Sequence, residues 1–351
     1  MEAMTSSHET LASPHPQRRR NRWVLWTGRI VLGLLALIIL LAATGATYEA
    51  IMSAGDTKRY PPPGQLVDVG GHRLHLHCVG QGSPTVVLDA GLGAFSLDWG
   101  AVQPQIATST RVCAYDRAGL GWSEPGPSPR SPQQFATELH ALLTNAGVEG
   151  PYVLVAHSIS GKTARLFASQ HPNDVVGMVL IDARHESVDE HLTPEQHAAE
   201  ATQQRRFQNM INWMAKFGLV RLLWAPAWPS VLPGSENLSP DTRTAIGVLQ
   251  ARPRQIENAL AEGRARTDSN NLLVTAASLG DTPLVVLAAA QNVDHMPVWK
   301  EAQLIMAGLS SDSRLIVAPG GHAIHFEQPE LVVESIGQVV AAARTGKPLN
   351  P

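Results

Sequence analysis

Among the 351 residues, Ser158 has the surroundings best suited to covalent chemistry. It lies in Ala156-His157-Ser158-Ile159-Ser160-Gly161, a turn of small residues with one hydroxyl at its apex. Before the turn runs Tyr152 to Val155, whose length and β-branched content predict a buried strand. After it, Lys162 to Gln170 predicts a helix that His171-Pro172 stops, since a residue before proline is pushed out of the α region. A hydroxyl on such a sharp bend is exposed, and the amides that follow point toward whatever its oxygen attacks. Nucleophilic attack is the chemistry this placement suits. A strand, turn and helix with an incidental serine fits the same letters. A second set of chemically able residues is His72, His75 and His77, the last two sharing a strand face with Arg73. With only Cys78 beside them and no carboxylate at ligand spacing, they are expected to form a solvated strand face and to hold no metal.

Positioning such residues takes a large scaffold. The chain is 44% hydrophobic and 16% charged, enough to bury the core of one large α/β domain with an insertion. A formal net charge of -3 leaves no electrostatic footprint for nucleic acid.

The N-terminal end has its own pattern. Residues 1–22 are polar, proline-spotted and then arginine-rich, and are expected to be a disordered cytoplasmic tail. Arg18, Arg19, Arg20 and Arg22 precede the apolar run Ile30 to Ala46, with Trp23 and Trp26 at its near edge and Tyr48 at its far edge. Basic residues on one flank and aromatics at both interfaces predict a membrane span over 23–48, with the later domain extracytoplasmic. Thr44-Gly45-Ala46 also fits a signal cleavage site, which would release a secreted domain on the same side. A linker over 49–64 would follow, ending in Tyr60-Pro61-Pro62-Pro63-Gly64.

The turn around Ser158 resembles the nucleophile elbow, G-x-S-x-G, of the α/β-hydrolase superfamily, with Ala156 and Ser160 in the two glycine positions and Gly161 one place later. Ala90-Gly91-Leu92-Gly93, after the apolar strand Thr85 to Asp89, resembles that superfamily's oxyanion loop. Asp116-Arg117-Ala118-Gly119-Leu120-Gly121-Trp122-Ser123 is similar to its Asp-Arg-x-Gly-x-Gly-x-Ser turn, expected to brace the loop under the site. His322, after Gly320-Gly321, matches its catalytic histidine, with His325 expected to pack under the closing helix.

The resemblance covers roughly Gly64 to the end and implies an α/β-hydrolase fold. That means a mostly parallel eight-stranded sheet with helices on both faces and a helical cap inserted after strand six. The core would be 65–183 and 282–351. The cap would be 184–281, too long for a plain crossover and rich in aromatics such as Phe207, Trp213 and Trp224.

The implied mechanism is acyl transfer by Ser158, with His322 as base and the amides of Leu92 and Ile159 holding the oxyanion. For the acid, the resemblance favours Asp294, beyond the seventh strand, over Asp182 at the end of the sixth. It also places the strand of Cys78 beside that of Cys113, so these two cysteines are within reach of a disulfide in an oxidising compartment, two buried free thiols being the alternative. No cofactor is required. The expected substrate is a small-molecule carboxylic ester of lipophilic character, with the membrane as a partner through the N-terminal helix. An amidase, a peptidase, an acyltransferase and a membrane-tethered non-catalytic binding protein are the alternatives on the same fold.

Overall fold

The computed structural model describes residues 17–190, 194–274 and 278–349. Eight strands form one sheet: β1 (Gln65–Asp68), β2 (Arg73–Val79), β3 (Thr85–Asp89), β4 (Val112–Tyr115), β5 (Tyr152–His157), β6 (Val175–Ile181), β7 (Leu284–Ala289) and β8 (Ser313–Ala318). Their order is β1-β2-β4-β3-β5-β6-β7-β8. The hairpin signalled by Gly70-Gly71 pairs β1 with β2 antiparallel, β2 pairs antiparallel with β4, and every later pair is parallel.

The principal helices are α1 (Gln17–Arg59), α2 (Pro132–Asn145), α3 (Ser160–Gln170), α4 (Pro194–Lys216), α5 (Leu219–Leu223), α6 (Pro240–Gln250), α7 (Pro253–Arg264), α8 (Ala290–His295), α9 (Pro297–Ala307) and α10 (Pro329–Thr345). Two of them start on Ser-Pro pairs. Ser131 and Ser239 cap α2 and α6 by accepting from the amides of Gln134 and Thr242. The proline after each has no N–H to leave unsatisfied.

The central strands read as continuous apolar runs because both sheet faces are covered. Successive side chains go to opposite faces. Leu154 and Ala156 pack with Leu139 and Leu143 of α2 and Leu166 and Phe167 of α3. Val153 and Val155 pack with Trp99, Val102 and Ile336 and Val339 of α10. Between β6 and β7 the described elements are all helical, and Trp228, Ile246 and Leu249 bury themselves there against Phe95, Leu120 and Phe326 of the core.

Three expectations need correction. Residues 17–22, assigned to a disordered tail, are the first residues of α1, while residues 1–16 lie outside those described. Residues 49–59, assigned to a linker, continue α1 without a break. They do so because their polar face has partners in the cap. Arg221 of α5 reaches Glu49 at 2.8 Å and Asp56 at 2.9 Å, and Arg252 reaches Asp56 at 3.1 Å, all with side chains buried. His75 is no solvated residue either. It is fully buried, with Nδ1 2.9 Å from Asp116 and Nε2 at the Pro63 carbonyl. Burial alone would depress its pKa, but the charge of Asp116 and these hydrogen bonds reverse the effect and raise it. Cys78 and Cys113 stand directly opposite each other on β2 and β4 and are joined in a disulfide.

Candidate active site

The end of β5 delivers Ser158 into the αL region, at φ 57°, a conformation a non-glycine residue adopts only when its surroundings hold it there. Two bonds fix the bend: the Ser158 amide donates to the Ile181 carbonyl, and its carbonyl accepts from the Arg184 amide. The two non-glycine substitutes of the elbow are accommodated differently. Ala156 is buried in the sheet. Ser160 donates its hydroxyl to the Ala90 carbonyl and accepts from Arg117, so a side chain does tethering work where glycine would leave only space. Close helix-to-strand packing has moved one place on. A Cβ on Gly161 would lie 2.6 Å from that of Ala183.

The structure brings Ser158 and His322 together. The Ser158 hydroxyl is 2.9 Å from His322 Nε2, and His322 Nδ1 is 2.5 Å from a carboxylate oxygen of Asp182. The carboxylate at the imidazole is therefore Asp182 and not Asp294. Asp294 is exposed on α8, a six-residue helix that turns the chain away after β7. Asp182 ends β6, fully buried, and accepts from the Ala289 amide (2.9 Å), the Trp299 indole (2.8 Å) and the Asn292 side chain (2.5 Å) as well. Such a carboxylate is fixed in one orientation, and through Nδ1 it fixes the tautomer of His322.

Leu92 and Ile159, the expected oxyanion donors, lie on the loop after β3 and directly after Ser158. Ile159 follows the serine at the N-cap of α3, whose backbone dipole favours negative charge. The loop of Leu92 lies against the serine: a Cβ on its neighbour Gly91 would sit 3.4 Å from that of Ser158 and 2.7 Å from the His157 ring. Among the described residues neither amide donates to a protein oxygen. Arg117 holds this loop from below, donating to the carbonyls of Ala90 and Gly91 at 2.6 Å each and pairing with Asp89 and Glu262. Burial works against the guanidinium's charge, but the two carboxylates outweigh it and raise its pKa. Glu262, from α7 of the cap, also accepts from the Gly93 amide at 3.0 Å.

Around His322 are two more imidazoles. His157 donates its Nε2–H to the His322 carbonyl at 2.9 Å, and its ring centre lies 4.7 Å from that of His322 and 4.5 Å from that of His325. His325 packs against Trp99 and Phe326. Burial, reinforced by its histidine neighbours, holds His157 well below the usual range, and burial with His322 pushes His325 down to about 3. Both are neutral near pH 7.

Several contributors carried no usable signal in the sequence. Glu262 lies 145 positions from Arg117, and Trp299 lies 117 from Asp182. Asn292 is two residues from Asp294, yet only the path of α8 brings it to the Asp182 carboxylate and turns the second aspartate away. Elsewhere, His140, His171 and Asp174 have ligand atoms within 4.8 Å of one another. The two rings stack at 3.8 Å and 5°, so their in-plane lone pairs run parallel and do not converge on one ion.

Residues 86–335 match the model of the "Alpha/beta hydrolase family". The "Probable transporter efuK" of Hormonema carpetanum is 30% identical over 298 residues, 78% of this chain. The chain spans only 42% of that protein's length. The thermophilic esterase from Thermogutta terrifontis superposes with a TM-score of 0.59 at 22% identity, covering 80% of this chain and 99% of that one. The epoxide hydrolase CorEH gives a TM-score of 0.59 at 19% identity, covering 79% and 98%. These two structural likenesses speak to the fold alone.

Proposed function

Because the chain belongs to the alpha/beta hydrolase family, we propose that it is a serine hydrolase that cleaves a carboxylic ester through an acyl-enzyme on Ser158. The observation that carries the proposal is the continuous relay Ser158, His322, Asp182, at 2.9 and 2.5 Å. His322 takes the serine proton as the hydroxyl attacks the carbonyl carbon, and the buried Asp182 stabilises the imidazolium. The amides of Leu92 and Ile159 receive the negative oxygen, each donor worth ~3–4 kcal/mol at the transition state. His322 then returns the proton to the leaving alkoxide, and a water activated the same way releases the acid. A carboxylate nucleophile, which opening an epoxide through an alkyl-enzyme would require, is not what the elbow presents.

A lipophilic acyl group suits the cleft above the oxyanion loop. It holds about 470 Å³ and is lined by Ile211, Met214, Val220, Leu223, Trp224 and Ile256. Its size falls within the range of small-molecule sites. We further propose that α1 is retained as a single membrane span with the domain on the extracytoplasmic side. From Trp23 to Tyr48 a helix rises ~38 Å, enough for a hydrocarbon core of ~30 Å. The helix runs unbroken through the small residues at 44–46 and is buried in the cap one turn later at Glu49.

The test uses the purified full chain in detergent, a fluorophosphonate probe and a short-chain aryl ester. Labelling at Ser158 and turnover that falls by ~10⁴-fold or more in Ser158→Ala support the reading. Full hydrolysis by Ser158→Ala would remove the mechanism, and a folded protein that stays unlabelled would favour a non-catalytic binding role.

A further inference from the structure

The cap and α1 are locked together, and the place where they meet sets the level of the cap against a bilayer. A Cβ on Gly45 would lie 2.5 Å from the Phe217 carbonyl, and one on Gly218 would lie 2.9 Å from the Tyr48 ring. Farther along α1, Glu49, Ser53 and Asp56 bind Arg221. The last contact is at Tyr60, whose carbonyl accepts from the Trp122 indole of the core. From Gly45 to Arg59 the helix rises ~21 Å. The core is therefore held off the apolar run Ile30 to Ala46, while the α4–α5 turn touches α1 at the end of that run.

On the two helices that meet at this turn, large apolar side chains face outward. Phe207, Met210, Trp213, Leu222, Leu223 and Trp224 are between 43% and 66% exposed. A soluble surface rarely gathers so many, and tryptophans beside the end of an apolar span are placed as interfacial aromatics are. Exposed Arg205, Arg206 and Lys216 on α4 supply cations of the kind that meet phosphate headgroups. Phe207, Leu223 and Trp224 also line the 470 Å³ cleft, which reaches Leu92 and Gly93 at its other end. The exposed face thus runs as one apolar surface into a cleft that ends at the Leu92–Gly93 loop, whose neighbour Gly91 lies against Ser158.

We propose that this cap face lies in the lipid leaflet beside α1, and that the cleft takes its ester from that leaflet: an acyl ester lipid resident in the bilayer. The proposal rests on the serine-hydrolase reading and on α1 as a retained span. Its physical logic is a short path. An acyl chain passing from leaflet to cleft never exposes its methylenes to water.

Two measurements on the full chain in lipid nanodiscs test it separately from catalysis itself. In the first, Ser158→Ala carries one added cysteine, Met210→Cys or Leu222→Cys, bearing a fluorophore; the chain's own two cysteines are disulfide-bonded. Lipids brominated near the top of the acyl chain should quench both positions and leave Glu334→Cys, exposed on α10, unquenched. Absence of quenching at 210 and 222 in discs holding one chain overturns the placement. A fluorophore shift that needs two chains per disc overturns it too, in favour of a contact between copies.

In the second, Met210→Glu/Leu222→Glu should slow hydrolysis of a long-chain acyl ester embedded in the disc by ~10-fold or more. Fluorophosphonate labelling and turnover of a soluble short-chain ester should stay at the unmutated level. An unchanged rate on the embedded ester overturns the feeding route. Quenching as expected in a chain that neither labels nor cleaves any ester overturns the feeding route and the hydrolase reading while the membrane placement stands.

Discussion

Asp182 has four partners, of which His322 is one and three are donors that serve only to hold the carboxylate. Asp182→Asn keeps the size but loses the charge that stabilises the imidazolium, and its amide N–H favours the wrong tautomer. The expected loss in kcat is ~10³–10⁴-fold. Asp294→Asn, on the exposed face of α8, should leave ester turnover within ~2-fold. Steady-state kinetics on the two variants, with circular dichroism to show both folded, checks the pair. His325 gives a second residue-scale test. Its folded pKa is lowered from 6.5 to about 3, so the neutral form is favoured by folding. The stability this contributes is complete above pH 6.5 and is lost as pH falls toward the folded value. Between pH 6.5 and about 5 that loss is ~2 kcal/mol. His325→Leu should flatten the pH dependence of denaturant unfolding over that interval by about that amount, and an unchanged slope would show that the buried imidazole is not the cause.

Among the elements, α1 departs furthest from its expected form, because a span and a linker were expected and one continuous helix is found. The reason is the set of buried charges at its far end. Arg221 and Arg252 neutralise Glu49 and Asp56 inside the cap. Burial lowers and these carboxylates raise the pKa of Arg221, and the carboxylates prevail. Removing one partner of a buried pair strands the others. Arg221→Ala should cost ~3–5 kcal/mol, read by denaturant unfolding of the full chain in detergent, and should expose the joint at 60–64 to limited proteolysis. Stability and cleavage like those of the unmutated chain would mean that α1 is held by other contacts.

At the scale of the whole molecule, the site is assembled from distant pieces. Ser158 comes from the end of β5, Asp182 from the end of β6, its supports from β7, α8 and α9, and His322 from the loop after β8. Parallel strands make this possible, since all end on the same edge of the sheet and present their loops to one crevice. The cap closes over that edge and is bonded to it through Glu262, which ties the loop of Gly93 to Arg117. The cap and the Ala90–Gly93 loop are thus one hydrogen-bonded unit. The disulfide joins β2 to β4, on the side of the sheet away from Asp182 and His322.

By itself the sequence determined what local chemistry can encode. Buried parallel strands announce themselves as apolar runs, the elbow as small residues around a hydroxyl, the histidine loop as glycines before an imidazole, and the apolar span as length without charge. Tertiary structure decided which carboxylate reaches His322, because β6 and β7 end side by side and both Asp182 and Asp294 satisfy a one-dimensional reading. Only the turn of the chain into α8, which sends Asp294 to solvent and lends Asn292 and the Ala289 amide to Asp182, separates them. It likewise decided that α1 continues past the apolar run, since the arginines that neutralise Glu49 and Asp56 lie at least 165 positions away. Patterns of nearby residues fix elements, whereas the energy of a buried charge depends on neighbours that only folding supplies.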